Sequence, residues 1–135
     1  MKNRTMEEIK MSITLPVAAK ELYNAWLDSK KHALFTGGEA KINKKTGSSF
    51  TAWDGYISGK NIELKDGQFI KQTWRTTEFN EEAVDSIIEI RFEEKAGKTK
   101  LSLHHYNLQK GDGKKYKDGW KQFYFEPMKA YFSGK

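Results

Sequence analysis

The sequence contains no cysteine and only 2 prolines. The lack of cysteine excludes a disulfide framework, a thiolate nucleophile and a thiolate metal site. No apolar run reaches the ~18 residues that a membrane-spanning helix needs, and Lys2, Arg4, Glu7 and Glu8 interrupt what would be the apolar segment of a signal peptide. We therefore expect a cytoplasmic protein with no membrane span.

Large apolar side chains are present in number, although only 37% of the 135 residues are hydrophobic. The chain has 8 Phe, 6 Tyr and 4 Trp, which bury a large area per residue. A length of this order suits one hydrophobic core. We expect residues 1–135 to form a single domain.

The positive charge is concentrated in the last third of the chain. Residues 95–135 hold 10 Lys and 3 acidic residues, whereas residues 1–94 are close to neutral, with 14 Lys or Arg and 15 acidic residues. This distribution suits either a solvated surface or an acidic partner. Because none of those ten basic residues is Arg, whose fork usually reads phosphates and bases, we do not expect nucleic-acid binding.

Alternation of apolar and polar residues predicts a series of β-strands, clearest at Val84, Ser86, Ile88, Ile90 and Phe92. The predicted strands are residues 9–15, 39–43, 48–53, 56–64, 68–75, 84–92 and 98–106. Helical spacing predicts helices over 16–27, with Pro16 in the first turn, over 29–35, capped by Ser29, and over 116–132.

The last predicted helix carries a wide apolar stripe. Its members recur at helical spacing and are Tyr116, Trp120, Phe123, Tyr124, Pro127, Met128, Tyr131 and Phe132. Pro127 is expected to kink this helix, because its ring clashes with the carbonyl four residues earlier.

The order of elements predicts an α+β fold. Hairpin-length connections leave no room for crossover helices, so the sheet should be antiparallel. We expect six to seven strands curved around a long C-terminal helix, with two short helices after the first strand.

The sequence gives little support for catalysis or metal binding. His104 and His105 are neighbours on a strand and so point to opposite faces, and no histidine spacing fits a zinc site. His105 shares its face with Leu101 and Leu103, which places it either at a pocket or in a hydrogen-bonded core. No nucleophile elbow or phosphate loop is present. We assign no catalytic residue, no metal and no cofactor.

Several short blocks resemble a known family. They are Ala25-Trp26-Leu27, Phe35-Thr36-Gly37, DGYISG at residues 54–59, QTWR at residues 72–75, Gly119-Trp120, Pro127 and Tyr131-Phe132. Together they look like the C-terminal domain of activators of the 90-kDa heat-shock protein's ATPase, within the START/birch-pollen-allergen helix-grip superfamily. The resemblance implies an antiparallel sheet that grips the C-terminal helix around a cavity. It also implies a possible chaperone-accessory role, and the superfamily includes lipid carriers, hormone receptors and enzymes.

Three functional hypotheses follow. The first is a non-enzymatic binder of a small apolar or amphipathic molecule; the second is an accessory module for a chaperone or another acidic protein; the third, ranked last, is an enzyme acting on a hydrophobic substrate. We expect a monomer or a weak dimer. The candidate cavity-lining residues are Trp26, Phe35, Tyr56, Trp74, His105, Trp120, Phe123, Tyr124 and Met128, with Tyr131 and Phe132 sealing the far end.

Overall fold

The structure, a computed structural model, describes residues 6–133. Its strands are β1 (Glu7–Leu15), β2 (Ser49–Ala52), β3 (Ile57–Lys65), β4 (Phe69–Thr76), β5 (Ser86–Lys95) and β6 (Lys98–Leu108). Its α-helices are α1 (Ala19–Trp26), α2 (Ser29–Thr36), α3 (Gly113–Trp120) and α4 (Glu126–Ser133), and a π-helical turn (Lys121–Phe125) joins the last two.

The six strands form one antiparallel sheet in the order β1-β6-β5-β4-β3-β2. Only β1 is displaced from its sequence order: it lies beside β6, so the first and last strands are neighbours. The predicted α+β fold, with two short helices after the first strand and a long helical segment at the end, is confirmed.

The strand predicted at residues 39–43 is wrong. Its segment makes a single bridge, between Lys41 and Thr51. The Ser29 hydroxyl takes both backbone groups of Ile42: it accepts from the Ile42 N–H at 2.8 Å and donates to the Ile42 carbonyl at 3.0 Å. These bonds replace the ladder that a strand would need.

The starts of the first two helices also differ from prediction. Helix α1 begins at Ala19 rather than Pro16, and the Ala19 N–H donates to the Glu94 carboxylate at 2.9 Å. Asp28, not Ser29, caps α2 by accepting from the Lys31 N–H at 2.9 Å. In both cases a carboxylate satisfies an N–H that the helix leaves unpaired.

The C-terminal helical segment is continuous but changes its geometry midway. In the π-helical turn, the Glu126 N–H donates to the Lys121 carbonyl five residues earlier. Pro127 follows at once, as the second residue of α4. Proline has no N–H to donate to a carbonyl four residues earlier, and the wider turn directly before it is where the helix departs from α geometry.

This segment lies across the sheet and buries one face against it. Tyr116, Trp120, Tyr124, Met128 and Phe132 are each at most 7% exposed. They join a core that includes side chains from all six strands. No helix within residues 6–133 is long and apolar enough to cross a membrane.

Candidate functional site

A cavity of about 470 Å³ lies between the C-terminal helical segment and the β2–β3 end of the sheet. Seven of its lining residues are aromatic, and its only charged ones are Glu78 and Lys115. The full lining is Trp53, Tyr56, Ile57, Trp74, Glu78, Lys115, Tyr116, Gly119, Trp120, Phe123 and Tyr124.

The structure brings five of the nine candidate residues to this cavity: Tyr56, Trp74, Trp120, Phe123 and Tyr124. Phe123 stands at the surface, 49% exposed. The other four do not line the cavity; they are buried in the adjoining core and are Trp26, Phe35, His105 and Met128.

His105 is the centre of a buried hydrogen-bond chain behind the cavity wall. The Trp120 indole N–H donates to its Nδ1 at 2.9 Å, so its proton must be on Nε2, which lies 2.8 Å from Ser86 Oγ. Ser86 in turn donates to the Trp74 carbonyl at 2.6 Å. Burial lowers the pKa of His105 to about 3, so the imidazole is neutral and both its nitrogens are occupied.

His32 likewise uses both ring nitrogens in hydrogen bonds, on the other side of the cavity wall. Its Nδ1–H donates to the Trp26 carbonyl at 2.8 Å, and its Nε2 accepts from the Tyr124 hydroxyl at 2.8 Å. Burial lowers the pKa of His32 to about 4 and raises the pKa of Tyr124. Both histidines therefore position aromatic rings of the lining and have no free nitrogen to offer a substrate.

A polar cluster closes one end of the cavity. Glu78 forms an ion pair with Lys115 and accepts from the Tyr56 hydroxyl at 2.6 Å. The hydrogen bonds from Lys115 and Tyr56 lower the pKa of Glu78. Beside them, the hydroxyls of Thr76 and Tyr116 are 2.9 Å apart. The charges at this end are paired with each other.

Trp53 enters the lining from a strained turn. Trp53, Asp54 and Gly55 have φ values of 52°, 58° and 92°, three consecutive left-handed residues of which only the last is glycine. Such a conformation costs about 1–2 kcal/mol for a residue such as Trp53, whereas Asp adopts it more readily. Asp54 holds the turn in place, because its carboxylate accepts from the Glu39 N–H at 2.8 Å and its own N–H donates to the Glu39 carbonyl at 3.0 Å.

The Trp53 indole nitrogen has no hydrogen-bond partner. Among the side chains of residues 6–133 it is the one buried nitrogen or oxygen atom without one. Leaving a buried donor unsatisfied costs on the order of 1–3 kcal/mol. Phe123 packs edge-on to the indole, with ring centroids 5.8 Å apart. A ring face accepts an N–H far more weakly than an oxygen does.

Sequence reasoning missed Trp53 as a lining residue, and it missed Tyr116 and Gly119 as well. A signal for Trp53 was available, since a tryptophan directly precedes the Asp54-Gly55 turn at the end of a predicted strand. Residues on connections that a rigid scaffold positions carry binding roles disproportionately often. Gly119 carried no comparable signal.

The residues described include no obvious reactive constellation. Within residues 6–133, no group of three or more histidine, aspartate or glutamate side chains is placed to hold a metal ion. The cavity instead presents aromatic faces, one unpaired donor and a neutralised ion pair.

Solved structures of similar shape share this architecture. An HSP90 activator from Plasmodium falciparum superimposes with a TM-score of 0.82 at 25% identity, covering 93% of this chain and 96% of that one. CalU16 from Micromonospora echinospora gives 0.79 at 18% identity over 97% and 85% of the two chains. The Aha1 dimer from Colwellia psychrerythraea gives 0.78 at 15% identity over 96% and 98%. The last two establish the helix-grip fold alone.

Sequence comparison points the same way. The human activator of 90 kDa heat shock protein ATPase homolog 1 is 26% identical over 125 residues, which is 93% of this chain but 37% of that protein's length. The chain thus spans just over a third of this curated relative. Residues 16–133 match the family described as activator of Hsp90 ATPase homolog 1-like protein. The match covers most of the chain and confirms the resemblance drawn from its sequence blocks: the chain belongs to the activator of Hsp90 ATPase homolog 1-like family.

Proposed function

We propose that this chain binds a small apolar or amphipathic molecule in the cavity and does not transform it. The observation that carries the proposal is the cavity itself, about 470 Å³ in volume and lined by seven aromatic side chains. Its size falls within the range of about 300–1,000 Å³ typical of ligand sites. Buried aromatic rings supply large contact areas at little cost in side-chain entropy.

The buried titratable groups support binding over catalysis. His32 and His105 each use both ring nitrogens in hydrogen bonds to the protein. A general base needs a free nitrogen within reach of the proton it removes. Glu78, the carboxylate of the lining, is already paired with Lys115.

A thermal-shift screen against a library of lipids and aromatic polyketides tests the proposal. A ligand present at a hundred times its dissociation constant should add about 2.7 kcal/mol to the free energy of unfolding. A shift of several degrees in Tm is expected from at least one chemical class. If no compound shifts Tm, the proposal fails.

Gly119 allows the cavity to be blocked without disturbing the fold. It lines the cavity, and a Cβ atom added there would meet no heavy atom within 4 Å beyond its own helix. Gly119→Phe should fill the space and abolish the ligand-induced shift. Gly119→Ala is the matched control, because it changes the same backbone position but leaves most of the volume free. Equal binding by both variants would show that the ligand sits elsewhere.

A second candidate function is contact with a chaperone, and the names of the curated relatives favour it. The observation in this structure is a set of exposed lysines on the C-terminal helical segment. Within residues 6–133, Lys117, Lys121 and Lys129 form no ion pair, whereas Lys114 and Lys115 are paired with Asp118 and Glu78. Free lysines on one segment present a positive surface to an acidic partner.

Charge reversal distinguishes lysines that bind a chaperone from lysines that are only solvated. Replacement of Lys117, Lys121 and Lys129 by Glu should abolish capture of a purified 90-kDa heat-shock protein and leave the ligand shift intact. The reversal of Lys10 and Lys100, which lie on the opposite face of the sheet, is the matched control. Unchanged capture by the triple variant would remove the support for this function.

A further inference from the structure

The unpartnered Trp53 indole N–H has a chemical implication for what the cavity holds. A polar group buried without a partner in a folded protein calls for a specific explanation, and a ligand that completes the bond is one such explanation. The group belongs to a side chain that lines the cavity. The strained turn that carries it is the kind of feature that clusters at ligand sites.

Gly38 packs closely against the Trp53 side chain. A Cβ atom added at Gly38 would lie 2.6 Å from Trp53 Cε3 and 3.1 Å from Cδ2, so the backbone of Gly38 packs closely against that edge of the indole. Within an indole, Cε3 and Nε1 lie on opposite long edges. The three atoms nearest to this position are Cε3, Cα and Cδ2, so the Gly38 contact does not involve Nε1.

The charges of the lining are internally compensated. Glu78 and Lys115 neutralise each other, and the Tyr56 hydroxyl is already donated to Glu78. A charged ligand would have to give up its hydration without gaining an unpaired counter-charge. The remaining lining offers mainly the faces and edges of aromatic rings, which favour a flat aromatic partner.

We propose that the cavity selects an uncharged, flat aromatic molecule that carries a hydrogen-bond acceptor oxygen, and that the Trp53 indole N–H donates to that oxygen. The proposal rests on the proposed function of ligand binding and deepens it. Phe123 is half exposed and packs edge-on to the indole. Because the indole nitrogen is itself buried, the oxygen reaches it only when the Phe123 ring is displaced.

A pair of probes of the same shape tests the role of the N–H. Fluorenone has a carbonyl group where fluorene has a methylene group. The ratio of their affinities therefore measures the contribution of the acceptor oxygen. Wild-type protein should bind fluorenone about fivefold more tightly than fluorene, as expected for one neutral hydrogen bond. Trp53→Phe should reduce the ratio toward one. Tyr106→Phe should keep it, because Tyr106 lies outside the cavity lining and its hydroxyl is donated to Glu89.

Indole N–H resonances in the wild-type protein provide a readout that needs no variant. Fluorenone should move the Trp53 indole proton downfield, and fluorene should not. Equal affinities with no such movement would overturn the inference and leave cavity binding intact. Failure of both probes to bind would overturn the choice of flat aromatic ligands, and the lipid and polyketide screen would then decide the proposed function separately.

Discussion

The Trp120 indole donates to His105 Nδ1 at 2.9 Å, and this bond connects a ring of the cavity wall to the centre of the core. It fixes the tautomer of the histidine, since the nitrogen that accepts cannot also carry a proton. It ties the buried ring of Trp120 to the core, whereas Phe123, three residues later, is half exposed.

Two identical substitutions should therefore have different effects on stability. Trp120→Phe removes the partner of His105 Nδ1 and leaves a buried acceptor unsatisfied, whereas Trp53→Phe removes a donor that bonds to nothing. Urea unfolding should show Trp120→Phe to be less stable than Trp53→Phe by at least about 1 kcal/mol. Equal losses would mean that the Trp120–His105 bond contributes nothing net.

Stability should fall as the pH drops below the ordinary range of histidine. Burial lowers the pKa of His32 to about 4 and that of His105 to about 3, while in the unfolded chain each is near 6.5. Between these values the unfolded state binds more protons. The stabilisation is complete above pH ~6.5 and is lost below it, at up to about 1.4 kcal/mol per pH unit for each group.

Urea unfolding measured at several pH values between 7 and 5 checks this expectation. His32→Gln and His105→Gln should each make the dependence shallower, because one titrating group is removed. The lowered pKa values of Glu7, Glu8 and Glu78 act mainly below their ordinary value of 4.5, so the slope between pH 7 and pH 5.5 reports the histidines. A free energy of unfolding that stays flat from pH 7 to pH 5 would contradict the assignment of neutral buried histidines.

Gly59 should not tolerate even a methyl group. A Cβ atom there would lie 1.9 Å from the Thr73 carbonyl oxygen on β4 and 2.8 Å from the Phe50 ring on β2. Because the first obstacle is backbone, strands β3 and β4 would have to separate. Gly59→Ala should destabilise the protein by about 1–3 kcal/mol, the usual range for overpacking, as measured by the midpoint of urea unfolding. Wild-type stability in this variant would show that the strands yield freely.

Gly119→Ala should increase the stability of the protein, in contrast to Gly59→Ala. The glycine is in helix α3, and the added methyl group meets only open space. Alanine is favoured over glycine within a helix by up to about 1 kcal/mol. The midpoint of thermal unfolding should rise by a few degrees, and a decrease would indicate that the cavity wall cannot accept the methyl group.

The sequence predicted the sheet well because alternation follows directly from strand geometry. Ile88, Ile90 and Phe92 are buried as expected, and His105 shares the inner face with Leu101 and Leu103. The strand predicted at 39–43 does not form, because Ser29 from another element satisfies the backbone of Ile42. The alternation of apolar and polar residues cannot reveal such a bond. Tertiary hydrogen bonds of this kind have no local signature.

The cavity was harder to predict than the fold. Counting every third and fourth residue assumes α geometry throughout, whereas Phe123 lies within the π-helical turn and is 49% exposed. Tyr131, beyond that turn, is 41% exposed. The proline predicted a disturbance but not its form. Whether the nine candidate residues contact a ligand remains a prediction.

The turn at Trp53–Gly55 has a consequence for how this domain can diversify. Trp53 projects from a connection, and Phe123 stands at the surface of the helix, so neither is fastened by the histidine-centred hydrogen bonds that hold Trp120 and Tyr124. Substitutions at these two positions change the lining of the cavity and leave the hydrogen bonds of His32 and His105 in place. Under the proposed function, exchanges at these two positions would change which small molecule the cavity accepts within the same scaffold.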